Sequence, residues 1–271
     1  MWFKKNRPNT TQLTDGTTIN CINAPEAQML DRHVKGYFAN GIAVKDGDTI
    51  FDVGANIGVF AVRMTQQYPQ TRVYAFEPLP PIYDVLQRNA LRYAPQIVAL
   101  PVGVSDAEEE VTFSYFPNSP ALSTAHLEDW ADDSNKLARA VEGNLHHAPA
   151  KFAWVRWLPK PVFRWIANYL QAGKKDYCCR LTTLSKVIAE HNINRIDLLK
   201  IDCEGAELAV LKGIAAADWQ KIQQIVAEVH DVQHRLEEVV GLCKQHGFVK
   251  ITVEKDVVMG DTPMFNVFAI R

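Results

Sequence analysis

Between Thr49 and Arg271, short runs rich in β-branched and aromatic residues alternate with longer stretches whose apolar positions recur at helical spacing. The short runs are TIFDVG, RVYAFEP, QIVALPVGVS, IDLLKID, QQIVAEVH, GFVKITVE and FNVFAIR. They are apolar along most of their length, as strands covered on both faces must be. Helical spacing covers Val59 to Tyr68, Pro81 to Tyr93, Leu184 to His191, Ala206 to Ile214 and Val232 to His246. The alternation predicts an α/β, doubly wound, mostly parallel sheet. Only KDVVMGDTPM separates the last two strands, and its Gly260, Asp261 and Pro263 predict a hairpin, so the final strand should run antiparallel.

Two segments stand outside this alternation in what reads as a single domain, 1–271. Residues 1–48 precede the sheet, and the amphipathic stretch Glu26 to Phe38 predicts an N-terminal helical cover over the ligand crevice. Residues 119–176 form an insertion too long for a structureless loop in a compact domain. Within it, EDWADDSNKLARAVEGNL predicts a helix, whereas Pro159 and Pro161 break the stretch KFAWVRWLPKPVFRWIANYLQ. That stretch interleaves Trp154, Trp157, Phe163, Trp165 and Tyr169 with Lys151, Arg156, Lys160 and Arg164. The pattern suits a lid with an apolar inner face, a dock for an acidic carrier protein, a membrane-surface contact or a small satellite core.

In an open parallel sheet, ligands bind outside the carboxyl ends of the strands, where the strand order reverses, and the first strand normally lies there. The first strand here ends in IFDVGANIGVF, with Asp52, Gly54, Asn56 and Gly58 at its polar end. Gly54 and Gly58 allow a tight turn and close approach of a ligand, and the following helix aims free N–H groups at it. The same G-x-x-x-G spacing also serves plain helix-to-strand packing. The G-x-G-x-x-G turn of pyrophosphate sites is absent, so a ligand with an amino-acid tail fits better, its ammonium group facing Asp52.

FEP places Glu77 at a strand end about 20 residues after the glycine turn, where a carboxylate accepts from ribose hydroxyls, with Pro78 beside it. The third strand, read to end at VGVSDAEEE, brings Ser105 and Asp106 toward an adenine edge. KIDCEGAE gathers Lys200, Asp202, Glu204 and Glu207 across the crevice, a charged cluster too costly for a core, in which Lys200, Asp202 and Glu204 are candidate catalytic groups and Asp202 also a candidate cofactor contact. Glu207 equally suits a helix N-terminus. AEVHD adds Glu228, His230 and Asp231. A histidine that titrates near neutrality suits removal of a hydroxyl proton, so His230 is the expected general base, oriented by Glu228 or Glu204. Asp202, Glu228 and His230 are alternatively ligands for a divalent metal, although no spacing demands one. His126, His146 and His147 have no spacing partner.

Lys plus Arg total 29 against 31 Asp plus Glu, a net charge of -2, so no basic face is forced and nucleic acid is not the expected partner. Five cysteines, with no C-x-x-C pair, fit a reducing compartment. No apolar run approaches the roughly 20 residues of a bilayer span, and no apolar segment follows the basic start, so a cytoplasmic protein is expected.

FDVGANIGVF, FEP and LLKIDCEGAELAVLKG, in this order from about Asp48 to His230, resemble the FkbM family of S-adenosylmethionine-dependent methyltransferases. The resemblance implies a class I methyltransferase fold, Rossmann-like, with a seven-stranded sheet and an antiparallel last strand. It implies S-adenosylmethionine as cofactor and O-methylation of a small molecule, a sugar or a polyketide or peptide natural-product intermediate, free or carrier-tethered. On the resemblance alone, Asn56 becomes a polar contact to the cofactor's amino-acid tail. The insertion is the main departure from the family pattern. Two alternatives stay open: a non-catalytic or carrier-docking module that binds the cofactor, and a methyltransferase acting on another acceptor class.

Overall fold

The computed structural model describes residues 9–93, 95–123, 125, 160–255 and 263–271. The chain starts with an antiparallel hairpin, β1 (Asn9–Gln12) and β2 (Thr18–Cys21), followed by helix α1 (Ala24–His33) and a 3₁₀ turn (Val34–Phe38). The expected helical cover therefore opens with strands. Asp15 holds the hairpin turn by accepting from Thr17 N–H at 2.9 Å.

The main sheet is built from β3 (Thr49–Val53), β4 (Arg72–Phe76), β5 (Ile97–Leu100), β9 (Leu198–Ile201), β10 (Gln224–His230), β11 (Lys250–Lys255) and β12 (Met264–Ile270). Its order is β11-β12-β10-β9-β3-β4-β5. β3, β4, β5, β9 and β10 are parallel, whereas β12 runs antiparallel to both β10 and β11, as the short last connection predicts. The order reverses between β3 and β9, so the carboxyl ends of these two strands define the crevice.

Helices α2 (Val59–Gln67) and α3 (Pro80–Tyr93) lie with α1 on one face, where Val62, Leu86 and Ile50 join a common core. On the other face lie α5 (Leu184–Glu190), α6 (Glu207–Lys212) and α7 (Arg235–Gln245), whose Ile188, Leu211 and Val239 pack with Phe51 and Leu199. Thr183 caps α5, its hydroxyl accepting from Lys186 N–H at 3.2 Å. Among the described residues no helix is long and apolar enough to cross a membrane.

The third strand differs from expectation. QIVALPVGVS divides at Pro101, which has no N–H to continue a ladder. β5 stays in the main sheet, and β6 (Gly103–Val104) pairs with β8 (Lys175–Thr182) in a separate three-stranded sheet, β6-β8-β7, with β7 at Glu109–Tyr115. β7 and β8 are antiparallel, with Tyr115 opposite Lys175. Their alternating pattern, Val111-Phe113-Tyr115 and Tyr177-Cys179-Leu181, is the half-buried strand signal that the insertion reading passed over. Helix α4 (Lys160–Gln171) precedes β8, and Pro161 sits in its first turn, which suits proline, so it starts that helix instead of breaking it. Trp165 and Tyr169 stack on α4 with centroids 6.1 Å apart and are 68 % and 55 % exposed, so they form no satellite core. The helix expected at EDWADDSNKLARAVEGNL, and Lys151, Trp154, Arg156, Trp157, His126, His146 and His147, lie outside the described residues.

Gly54, at φ +74°, packs so closely that an added Cβ would stand 1.7 Å from the carbonyl oxygen of Asp202. Gly54→Ala is expected to cost about 3 kcal/mol or more, or to prevent folding. Gly241→Ala, on an open stretch of α7 with nothing within 4 Å, should gain up to about 1 kcal/mol. Urea denaturation of the two variants checks both signs.

Candidate active site

A cavity of about 210 Å³ opens at the carboxyl ends of β3, β4 and β9. Gly54, Asn56, Glu77, Ser105, Asp202 and Glu204 contribute to its wall. Leu30, Val34 and Tyr37 of the N-terminal cover, and Phe113 of β7, enclose it from outside the main sheet. Glu26 of α1 ties that cover to the far rim by accepting from the N–H of Ala121.

Lys200 is buried at the centre. Its Nζ lies 3.0 Å from Asp52 Oδ1 and 3.5 Å from Asp202 Oδ2, and donates to the Gly54 carbonyl at 3.1 Å. Burial opposes its charge, yet the carboxylates of Asp52 and Asp202 raise its affinity for the proton above that of an ordinary lysine. Asp202 also accepts from the Tyr37 hydroxyl at 2.7 Å. Burial works against ionisation of Asp202, but Lys200 and Tyr37 hold it below the usual carboxylate range. Asp52 is fully buried behind Lys200 and does not line the cavity; burial pushes its carboxyl up against the pull of Lys200, which is its partner in place of a ligand.

The glycines also differ from expectation. Gly54 lines the cavity, but the Cβ it lacks makes way for the backbone of Asp202. Gly58, at φ +82°, makes way for Leu86 of α3, which an added Cβ would approach to 2.6 Å. The G-x-x-x-G spacing thus serves packing at both positions. Asn56, at φ +49°, faces the cavity while its Oδ1 accepts from Ile57 N–H at 2.7 Å.

Glu77 follows β4, and its Oε1 accepts from Leu79 N–H at 2.9 Å. Burial outweighs the backbone donors of Leu79 and Asn56 and pushes its carboxyl up to about 7. Pro78 and Ser105 line the same wall, Ser105 arriving through β6 and not through the third strand of the main sheet. Asp106 is exposed, does not line the cavity, and accepts from Ser105 Oγ at 3.2 Å.

Glu204 follows β9 in the left-handed conformation, at φ +53°, and faces the cavity. Its Oε2 lies 3.6 Å from His230 Nε2, and Glu207 Oε1 lies 3.5 Å from His230 Nδ1. Glu207 is fully buried and accepts from Gly205 N–H at 2.7 Å. Burial opposes the imidazolium, but Glu207, Glu204 and Glu228 raise His230 to about 9. Burial pushes Glu204 up to about 7 against the pull of His230. His230 does not line the cavity; it stands behind Glu204. Asp231 turns away to accept from Leu236 N–H at 3.1 Å. Among the described residues no three His, Cys, Asp or Glu side chains converge on a metal position, and Asp202, Glu228 and His230 form no such group.

An open sheet in this order, with its penultimate strand position taken by an antiparallel β12 and a cavity at the switch point, is the class I methyltransferase fold. Residues 52–250 match the methyltransferase FkbM domain, and the chain belongs to that family of methyltransferases. It is 35 % identical over 265 residues to the 31-O-demethyl-FK506 methyltransferase FkbM of Streptomyces tacrolimicus, covering 97 % of this chain and 96 % of that protein. It is 33 % identical over 268 residues to the AMB antimetabolite synthetase AmbE of Pseudomonas aeruginosa, covering 96 % of this chain and 12 % of the synthetase. Methyltransferase sdnD of Sordaria araneosa is 32 % identical over 253 residues, with 89 % and 90 % of the two chains covered. The chain thus spans a small part of one relative and nearly all of the other two.

His230 should titrate near 9 in the folded protein, and Glu207→Gln should lower that value; imidazole NMR shifts followed against pH check this. Because the folded value lies above the unfolded 6.5, the stability this group contributes is fully present below pH 6.5 and is lost as pH rises through about 9.

Proposed function

We propose that the protein transfers the methyl group of S-adenosylmethionine to a hydroxyl of a small molecule. The observation that carries this reading is one cavity holding Glu77 at the end of β4 and Glu204 at the end of β9. Burial raises the proton affinity of Glu77 against two backbone donors, and ribose hydroxyls bound there would add donors to its carboxylate. Pro78 and Ser105 flank the nucleoside, and Asn56, Gly54 and Asp202 take the amino-acid end. Bound there, the cofactor supplies an activated methyl group on a positively charged sulfur. Among the charged side chains that line the cavity, the carboxyls of Glu77, Glu109, Asp202 and Glu204 outnumber Lys200, a balance that favours a cationic cofactor over an anionic one.

Glu204 is the residue we assign to remove the acceptor's proton, and its value of about 7 suits a base working near neutrality. His230, charged at that pH, holds the Glu204 carboxylate from behind. The roles are the reverse of those expected from the sequence, because the side chain that reaches the cavity is the carboxylate. The end-to-end likeness to the 31-O-demethyl-FK506 methyltransferase supports a natural-product hydroxyl as the acceptor. A second reading, in which the acceptor arrives on a carrier protein, is favoured by the likeness to a 12 % stretch of a synthetase.

Calorimetry with S-adenosylhomocysteine should show binding that Glu77→Ala weakens and NADH does not displace; no binding by the wild type sinks the cofactor reading. Glu204→Gln should lower kcat by about 10²- to 10⁴-fold while retaining cofactor affinity. Wild-type kcat should fall as pH drops through about 7, where Glu204 becomes protonated, and a profile flat across that range removes Glu204 as the base.

A further inference from the structure

Tyr37 lies ahead of the matched residues 52–250, on the 3₁₀ turn of the N-terminal cover, yet its side chain lines the cavity and is 7 % exposed. The stretch Glu26 to Phe38 is expected to cover the crevice, but nothing local singles out Tyr37 within it, since its partner is Asp202, on the far side of the crevice. The turn that carries it is held by aromatic packing: Phe60 of α2 meets the Tyr37 ring edge-on at 5.7 Å and the Phe38 ring in a stacked arrangement at 6.2 Å. The ring also covers Lys200, whose Nζ lies 5.4 Å from its centroid.

The hydroxyl has one direction to donate. It gives its hydrogen to Asp202 Oδ2 at 2.7 Å, the same oxygen that Lys200 Nζ approaches to 3.5 Å. Burial and the carboxylate beside it keep the phenol protonated, so it stays a donor throughout the working pH range. With Oδ2 engaged by the hydroxyl and approached by the ammonium, rotation of the carboxylate is restricted, and Asp202, which lines the cavity, has Oδ1 as its second acceptor. A freely rotating aspartate would present either oxygen and would lose that freedom on binding; a clamped one has already lost it.

We infer that Tyr37 is a positioning residue of the ligand site: it clamps Asp202 so that Oδ1 receives the ammonium group of an α-amino-acid tail. The inference rests on the cofactor reading above and extends the site beyond the family domain, making the N-terminal turn a working wall of the crevice. It also assigns to Asp202 the task expected of Asp52, which Lys200 has already claimed.

Two ligands separate this role from a structural one: S-adenosylhomocysteine, which has the amino-acid tail, and 5′-methylthioadenosine, which keeps the nucleoside and sulfur but has no tail. Dissociation constants are measured by calorimetry for the wild type, Tyr37→Phe, Asp202→Ala, the double variant and Glu77→Ala, with thermal midpoints to verify folding. Tyr37→Phe keeps the ring packing and should weaken S-adenosylhomocysteine about tenfold, the effect of a lost hydrogen bond to a charged group. It should leave methylthioadenosine unchanged and add nothing in the Asp202→Ala background. Glu77→Ala should weaken both ligands. The inference is overturned if Tyr37→Phe weakens both ligands alike, weakens neither, or adds its full effect to Asp202→Ala. Failure of the wild type to bind either ligand overturns the cofactor reading, and this inference with it.

Discussion

Asp52 and Lys200 face each other in adjacent parallel strands, paired in register, with the ammonium 3.0 Å from the carboxylate and both groups withdrawn from water. Burying two charges is expensive, and the cost is offset only when the geometry is close and the remaining donors are used. Here the remaining donors reach the Gly54 carbonyl and Asp202. One ammonium therefore joins the side chains at the ends of β3 and β9 and the turn that follows β3. The requirement for glycine at 54 follows from the same convergence, because the backbone of Asp202 occupies the place of a Cβ. One side of the cavity is hung from this junction: Asn56 a few residues beyond Gly54, Asp202 and Glu204 beyond Lys200, and Tyr37 drawn in over the top.

The sheet was legible because strands buried on both faces write their burial directly as apolar runs, and because the last connection is too short for anything but a hairpin. What alternates half-buried and half-exposed was harder to see. β7 and β8 carry that weaker pattern, and Pro101 ended the third strand inside a run whose composition continued past it. The strand-end acids were legible as a group, since charge after an apolar strand points to a cavity. Their division of labour was not. Whether Asp52 meets a ligand or Lys200 depends on strand register, and whether His230 or Glu204 stands in front depends on a left-handed turn at Glu204, φ +53°. Tyr37 and Asp202 are 165 residues apart, and no local signal links them.

Two of the six positive-φ residues other than glycine among the described ones lie at the cavity, the other four elsewhere. Asn56 and Glu204 both adopt positive φ without being glycine, and both face the same cavity. Such conformations cost about 1 to 3 kcal/mol each and persist when the surroundings over-determine them. The side-chain bond from Asn56 Oδ1 to Ile57 N–H, and the contacts of Glu204 and Glu207 with His230, are the local interactions that do so. The imidazole then has an architectural task as well as an electrostatic one, bracing two carboxylates that would otherwise repel each other.

The antiparallel pairing of β7 and β8 closes with Tyr115 opposite Lys175, so the chain departs from this small sheet and rejoins it at neighbouring points. Between two such neighbouring points, each doubling of a loop's length adds only about 0.6 kcal/mol of closure entropy. Chain can therefore be added between these two strand ends without moving the register of β7 and β8, and so at little cost to the sheet they share.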